Sequence, residues 1–165
     1  MVIANGKPFT FQARGLDAVG GTLSGLSFDW SSADPAHAPV DSSGTVSASL
    51  DASAPGAYGM GPITVTAAEP VSMLSGGAEA SVAVYKGWTL QAETSAVQVD
   101  VANGQYVIFA NTDVVQHTVV LDSGSTTIVG AFTGDSAPYR AALAAGSYPF
   151  HCGIHPTMTG TLTVH

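Results

Sequence analysis

The sequence predicts an all-β chain, and two features of its pattern support this fold class. Short stretches alternate apolar and polar residues, which is typical of half-buried strands, and turn-forming residues separate these stretches. The chain contains 19 glycines and 9 prolines, and it has no long stretch of helical periodicity built from good helix formers. With 165 residues and 45% hydrophobic composition, it can form one large domain or two small ones around a packed core.

The first half of the chain predicts a succession of short strands. Leu26, Phe28 and Trp30 alternate with polar residues and therefore share one face of a strand. Turn signals follow at Asp34-Pro35 and at residues 41–44. The predicted strands of this half are Pro8–Ala13, Leu26–Trp30, Thr45–Ala48, Ile63–Thr66 and Ser81–Tyr85.

Two segments of this half, residues 28–35 and 40–46, resemble the bacterial immunoglobulin-like repeat modules of surface proteins. The resemblance implies an immunoglobulin-like β-sandwich with a strand tryptophan in its core. We expect this module to span residues 1–85 and to act as a spacer or adhesion-like unit. A second domain is expected at residues 86–165, because the strand pattern restarts after Tyr85-Lys86-Gly87. His37 lies in a Pro/Ala-rich loop and is not expected to bind a metal.

The second half is again a series of strands and turns. Val97, Val99 and Val101 alternate with polar residues, and Asn103-Gly104 follows as a strong two-residue hairpin signal. The spacing therefore predicts a hairpin between the strands on either side of Gly104. The predicted strands are Val97–Val101, Tyr106–Phe109, His117–Leu121, Tyr139–Leu143, Ser147–Cys152 and Thr161–Val164.

A short segment near the C-terminus carries the chemistry of the chain. Cys152, the only cysteine, is followed after three residues by His155 and after six by Met158. A thiolate, an imidazole and a thioether on one tight loop form the ligand set that a mononuclear copper ion favours. A fourth ligand must come from elsewhere, and His117 is the candidate. Because His117 is distant in sequence, only a folded sandwich can bring it to the loop.

Strand parity decides which way the neighbouring side chains face. Tyr148, Phe150 and Cys152 share one face of their strand. If that face points inward, Cys152 lies at the end of a core strand, and His151 points away from the metal. We therefore do not expect His151 to be a ligand.

Nearly all of the second half resembles the cupredoxins, the family of type 1 blue-copper proteins. The similarity lies in residues 99–113, 116–119 and 146–160, and the Cys-x-x-His-x-x-Met spacing is most similar to that of amicyanin. The resemblance implies a Greek-key β-sandwich that holds one copper ion per chain. It also implies that the turn at Gly104 passes between two sheets. Asn111 and Thr118 are candidates to hydrogen-bond the Cys152 sulfur or to tie the two ligand segments together.

Composition and charge exclude several partners. The formal charge is −8, from 12 acidic and 4 basic residues, which argues against nucleic acid or an anionic membrane as partner. No apolar run is long enough to span a bilayer, and no signal peptide is visible. A single cysteine excludes an intrachain disulfide and a four-cysteine zinc site. We expect an extracytoplasmic protein, whether periplasmic, secreted or on the cell surface, that forms part of a larger exported chain.

Three functions are compatible with these residues. The first is an electron carrier, and the resemblance implies that its redox partners dock at an apolar surface around His155. The second is a copper chaperone or storage module with the same ligands, and the third is a structural double sandwich without copper. An enzyme is not expected, because a trinuclear copper oxidase needs more than the five histidines present and a dinuclear cysteine-bridged site needs two cysteines. A catalytic Cys–His dyad is disfavoured because no oxyanion site is apparent.

Overall fold

The chain forms an all-β structure, as the sequence predicts. The computed structural model describes residues 1–49, 60–91 and 96–165. Within these ranges, no helix is long and apolar enough to cross a membrane. A turn of 3-10 helix lies at Ser123–Ser125. The strands described are β1 Val2–Ala4, β2 Pro8–Thr10, β3 Asp29–Ser32, β4 Thr45–Ser47, β5 Met60–Ala68, β6 Ser75–Gly87, β7 Val97–Val101, β8 Tyr106–Asn111, β9 His117–Leu121, β10 Thr126–Phe132, β11 Gly134–Asp135, β12 Tyr139–Arg140, β13 Gly146–His151 and β14 Thr159–Val164.

The described strands assemble into three sheets. A five-stranded sheet has the order β10-β9-β13-β14-β7, in which β7 and β14 run parallel. A larger sheet has the order β11-β8-β6-β5-β3, with β1 added beside β6 and β12 beside β8. The short strands β2 and β4 form a separate antiparallel pair.

The C-terminal core lies between the five-stranded sheet and β8. In β7 the three valines are buried and the two polar residues are exposed, so the predicted alternation is confirmed. Trp88, Phe109 and Phe150 pack edge to face at the centre, with ring centroids 5.1–6.4 Å apart. Cys152 and Met158 belong to the same buried cluster. This core therefore reaches the predicted metal loop.

The turn at Gly104 connects two sheets, and the predicted simple hairpin is wrong. Strand β7 pairs with β14 in the five-stranded sheet, whereas β8 pairs with β6 in the larger sheet. Gly104 adopts a positive φ of 79°, which a glycine tolerates without steric cost. The dipeptide therefore forms the predicted turn, but the two flanking strands pair with strands of different sheets.

The N-terminal half has its own smaller core around Ile3, Val46, Val65 and Val82. Leu26, Phe28 and Trp30 are half-buried while the residues between them are exposed, as predicted, although the strand itself begins only at Asp29. The immunoglobulin-like arrangement of this half stays a prediction.

Strand β6 runs across the predicted domain boundary at residues 85 and 86. Its first part pairs with β5 and β1, and Val84–Gly87 pair in parallel with β8. Val82 belongs to the N-terminal core, and Val84 packs against the C-terminal core. The division into domains 1–85 and 86–165 stays a prediction, and the two cores meet along this single strand.

Candidate metal centre

Three strands of the five-stranded sheet bring the predicted ligands together. His117 is the first residue of β9, and Cys152 directly follows β13. These two strands are antiparallel neighbours, with His151 opposite Val120. The loop from Cys152 to Met158 then leads into β14, which pairs with β13 along six residue pairs. Adjacent strands in this sheet therefore place His117 beside Cys152, although 35 positions separate them.

Three donor atoms converge at this end of the sandwich. The Cys152 Sγ lies 3.7 Å from the Nδ1 of His117 and 3.7 Å from the Nδ1 of His155. The two Nδ1 atoms are 3.2 Å apart. Among the described residues, these three side chains form the group of His, Cys, Asp or Glu ligands close enough to hold a metal ion.

The dimensions of the triangle fit a transition-metal ion. A point equidistant from corners separated by 3.7, 3.7 and 3.2 Å lies about 2.1 Å from each corner. First-row metals such as zinc bind imidazole nitrogen and thiolate sulfur at about 2.0–2.3 Å. The mixed nitrogen and sulfur donor set, with a thioether nearby in the chain, is one that suits copper. The cluster of His117, Cys152 and His155 together with Met158 can therefore bind one copper ion.

Backbone hydrogen bonds close the metal loop on itself. The amide of Cys152 donates to the carbonyl of Met158 at 3.0 Å, and the amide of Met158 donates to the carbonyl of His155 at 2.9 Å. The Met158 side chain is fully buried in the C-terminal core. The loop thus holds its shape through contacts that do not depend on a metal, while the assignment of Met158 as a ligand stays a prediction.

The cysteine sulfur lies in an environment that stabilises a thiolate. Burial raises the pKa of Cys152, but hydrogen bonds outweigh burial and lower that pKa from 9.0 to about 6. The strongest of these hydrogen bonds come from the amides of Thr118 and His155. A cysteine with this pKa is available as an anionic metal ligand near neutral pH.

Thr118 performs both roles that the sequence suggested for it. Its amide lies 3.4 Å from the Cys152 Sγ, and its hydroxyl oxygen accepts a 2.8 Å hydrogen bond from the amide of Gly153. The residue after the first histidine therefore ties that histidine to the metal loop.

Asn111 makes no hydrogen bond to the cysteine sulfur, so that part of the suggestion is wrong. Its amide group donates to the carbonyls of Val115 and Phe132, at 2.8 and 3.2 Å. Its side-chain oxygen accepts a 2.8 Å hydrogen bond from the amide of Asp113. These bonds shape the loop that precedes His117, because they satisfy backbone groups where β8 has ended.

The other histidines in the described ranges lie outside the cluster, as expected for His37 and His151. His151 points away from Cys152 and pairs with Asp122 on the surface. His37 pairs with Asp34. Strand parity correctly separated His151 from its neighbour Cys152.

Two residues that support the site were missed by the sequence analysis. Trp88 donates its indole N–H to the carbonyl of Thr118 at 3.4 Å, which anchors the peptide beside the sulfur. The Asp113 carboxylate lies 2.8 Å from the Nε2 of His117. The hydrogen bond from the amide of Leu90 has the largest effect on the pKa of Asp113 and lowers it. Burial raises this pKa, and the His117 ring lowers it. The position of Asp113 four residues before His117 was the one feature of the sequence that pointed to this contact.

Exposed apolar residues flank the predicted ligands in the sequence. Ile154, which precedes His155, is 47% exposed, and Val114 and Val115 in the loop before His117 are 99% and 38% exposed. His155 itself is only half-buried. One predicted ligand side chain therefore reaches the protein surface, whereas those of His117 and Cys152 do not.

No known family model and no curated protein matches the chain. Solved structures similar to it include amicyanin from Paracoccus versutus, at 28% identity over 50% of this chain and 81% of that one, with a TM-score of 0.41. Another is a purple cupredoxin from Nitrosopumilus maritimus, at 26% identity over 41% of this chain and 77% of that one, with a TM-score of 0.34. The candidate metal centre is defined by the distances among His117, Cys152 and His155 within this chain.

Proposed function

We propose that this protein is a one-electron carrier that uses a single copper ion held by His117, Cys152 and His155, with Met158 as a weaker fourth ligand. The observation that carries the proposal is the convergence of one sulfur and two nitrogen atoms on a common point. The copper ion supplies a couple between its two oxidation states when it is bound.

The protein contributes a site that suits both oxidation states. Copper(I) favours soft sulfur donors, and copper(II) accepts imidazole nitrogen, so a mixed set is a compromise between them. The amide of Thr118 donates to the Cys152 sulfur, and the hydroxyl of Thr118 accepts from the amide of Gly153, so protein groups alone make both bonds. The loop bonds between Cys152 and Met158 are likewise made by protein groups alone. Because the side chains are already held in place, a change of charge at the site requires little rearrangement.

The half-buried ring of His155 is the proposed route for the electron. Redox partner proteins would dock at the exposed apolar residues beside it, of which Ile154 is the nearest in sequence. We propose that the protein works outside the cytoplasm, as a carrier and not as an enzyme.

Copper(II) titration of the metal-free protein tests the function. We expect an intense visible band from thiolate-to-copper(II) charge transfer, an electron paramagnetic resonance signal of one copper per chain, and reversible reduction. The Cys152→Ser variant should lose the band and stay folded. His151→Gln is the matched control, because that side chain pairs with Asp122 outside the cluster and its loss should leave the band unchanged.

The other functions give different results in the same titration. Copper binding without the band or without reversible reduction would indicate a chaperone or storage module. A protein that binds no copper at all would instead be the structural double sandwich. A Cys152→Ser protein that retained the band would refute the ligand assignment itself.

A further inference from the structure

A carboxylate holds the back of the buried histidine of the cluster. The Oδ2 of Asp113 lies 2.8 Å from the Nε2 of His117, on the side of the ring opposite the Nδ1 that faces Cys152 and His155. The same Oδ2 accepts a 2.6 Å hydrogen bond from the amide of Leu90. Two N–H groups therefore meet one carboxylate oxygen, and the segment after β6 fixes the carboxylate in place.

This contact determines which ring nitrogen carries the proton. An ionised carboxylate can only accept hydrogen bonds, so the Nε2 of His117 must donate to Asp113. In a neutral imidazole, the Nδ1 then has a free lone pair, and this lone pair points toward the cysteine sulfur. The metal-free protein thus presents the nitrogen that a metal ion requires.

The pair at His117 differs from the other histidine–aspartate pairs of the described residues in its burial. The His117 side chain is fully buried, whereas the histidine side chains of the pairs at His37, His151 and His165 are 32–57% exposed. Charges near a buried ring are screened less by water and salt than charges at the surface. The negative charge of Asp113 therefore acts on His117 more strongly than a surface partner acts on its histidine.

We propose that Asp113 is a positioning residue of the metal centre, which fixes the His117 ring with its proton on Nε2 and favours copper(II) over copper(I). A carboxylate that accepts the outer N–H of a ligand histidine makes the ring a stronger donor. The extra electron density stabilises the more highly charged ion more than the less charged one. This inference rests on the proposed function, since it assigns a role within the same centre.

A matched pair of variants separates the effect of the Asp113 charge from any effect on the fold. Asp113→Asn removes the charge and keeps a side-chain oxygen that can accept the Leu90 amide. Asp122→Asn removes the same charge from the pair beside β13, where His151 points away from the cluster. We expect Asp113→Asn to reduce the ratio of copper(II) to copper(I) affinity by about tenfold, which corresponds to a rise in reduction potential of about 59 mV. Asp122→Asn should change the ratio less than about twofold.

The affinities are measured by competition with a chelator specific for each oxidation state, and circular dichroism checks the fold. An equal change in both variants, or none in Asp113→Asn, would overturn the proposal while leaving the copper carrier function intact. A wild-type protein that binds no copper would instead refute the proposed function.

A second measurement needs neither copper nor a variant. Nitrogen-15 NMR of the metal-free wild-type protein identifies the protonated nitrogen of each histidine. The proposal requires the His117 proton on Nε2, and a proton on Nδ1 would overturn it. This result stands even if Asp113→Asn fails to fold.

Discussion

Raising the pH should stabilise the metal-free protein through Cys152. The pKa of this thiol is lowered from 9.0 to about 6 in the folded chain, so between these values the folded state holds a thiolate and the unfolded state holds a thiol. The unfolded state then binds more protons, and the free energy of unfolding rises with pH. The stabilisation is fully present above about pH 9 and is lost as the pH falls through about 6.

The size of the effect follows from the span between the two pKa values. Each pH unit over which the two states differ by one proton contributes about 1.4 kcal/mol. A span of about three units, from 9.0 to about 6, gives a stabilisation on the order of 4 kcal/mol. This is a large fraction of the stability of an ordinary domain, which is about 5–15 kcal/mol.

Urea denaturation of the metal-free wild type and of Cys152→Ser, each at a series of pH values, measures this contribution. The difference in free energy of unfolding between the two proteins should grow from pH 6 to pH 9, because titrating groups that do not contact Cys152 cancel in the comparison. The ultraviolet absorbance of the thiolate in the folded wild type should rise with a midpoint near 6. A difference that stays constant over this interval would refute the assignment of a stabilised thiolate.

Three further changes test other parts of the structure. Met158→Gln should keep the visible band and lower the reduction potential, because an amide oxygen favours copper(II), and an unchanged potential in voltammetry would show that Met158 is not a ligand. Gly160→Ala should destabilise the protein by about 1–3 kcal/mol in urea denaturation, since the added carbon would meet the Phe150 ring and lie 2.7 Å from the carbonyl of Val97. Gly130→Ala, with open space at that position, is its control, and equal losses would contradict the packing argument. A fragment of residues 80–165 should unfold at a higher urea concentration than one of residues 86–165, because only the longer fragment keeps the complete pairing of β6 with β8. Equal midpoints of unfolding would argue against a shared strand.

The parts of the site that the sequence predicts are those set by local geometry. Alternation along a strand placed Phe150 and Cys152 inward and His151 outward, and the structure confirms this. The Cys-x-x-His spacing fits a loop that folds back to bring His155 beside Cys152, at 3.7 Å. Because His117 stands in another strand, its approach depends on which strands become neighbours, and spacing along the chain does not determine this.

The parts that the sequence did not predict depend on contacts between distant segments. Asn111 and Asp113 are polar residues in a loop, and nothing in their spacing tells which one reaches the ligand shell. Asn111 binds backbone carbonyls while Asp113 binds His117, a choice made by the path of the loop. The Asn103-Gly104 signal correctly marks a turn, but strand pairing is decided by the sheets that bury each strand.

Strand β6 also has a consequence for how the metal centre is carried. Residues 81–83 pair with β1 and residues 84–87 pair with β8, so no unpaired linker separates the two cores. A hinge at this point would break backbone hydrogen bonds in consecutive residues. The two halves should therefore tumble in solution as one body, with a single rotational correlation time in NMR relaxation. If the protein is attached through its N-terminal half, His155 keeps a fixed orientation relative to the point of attachment.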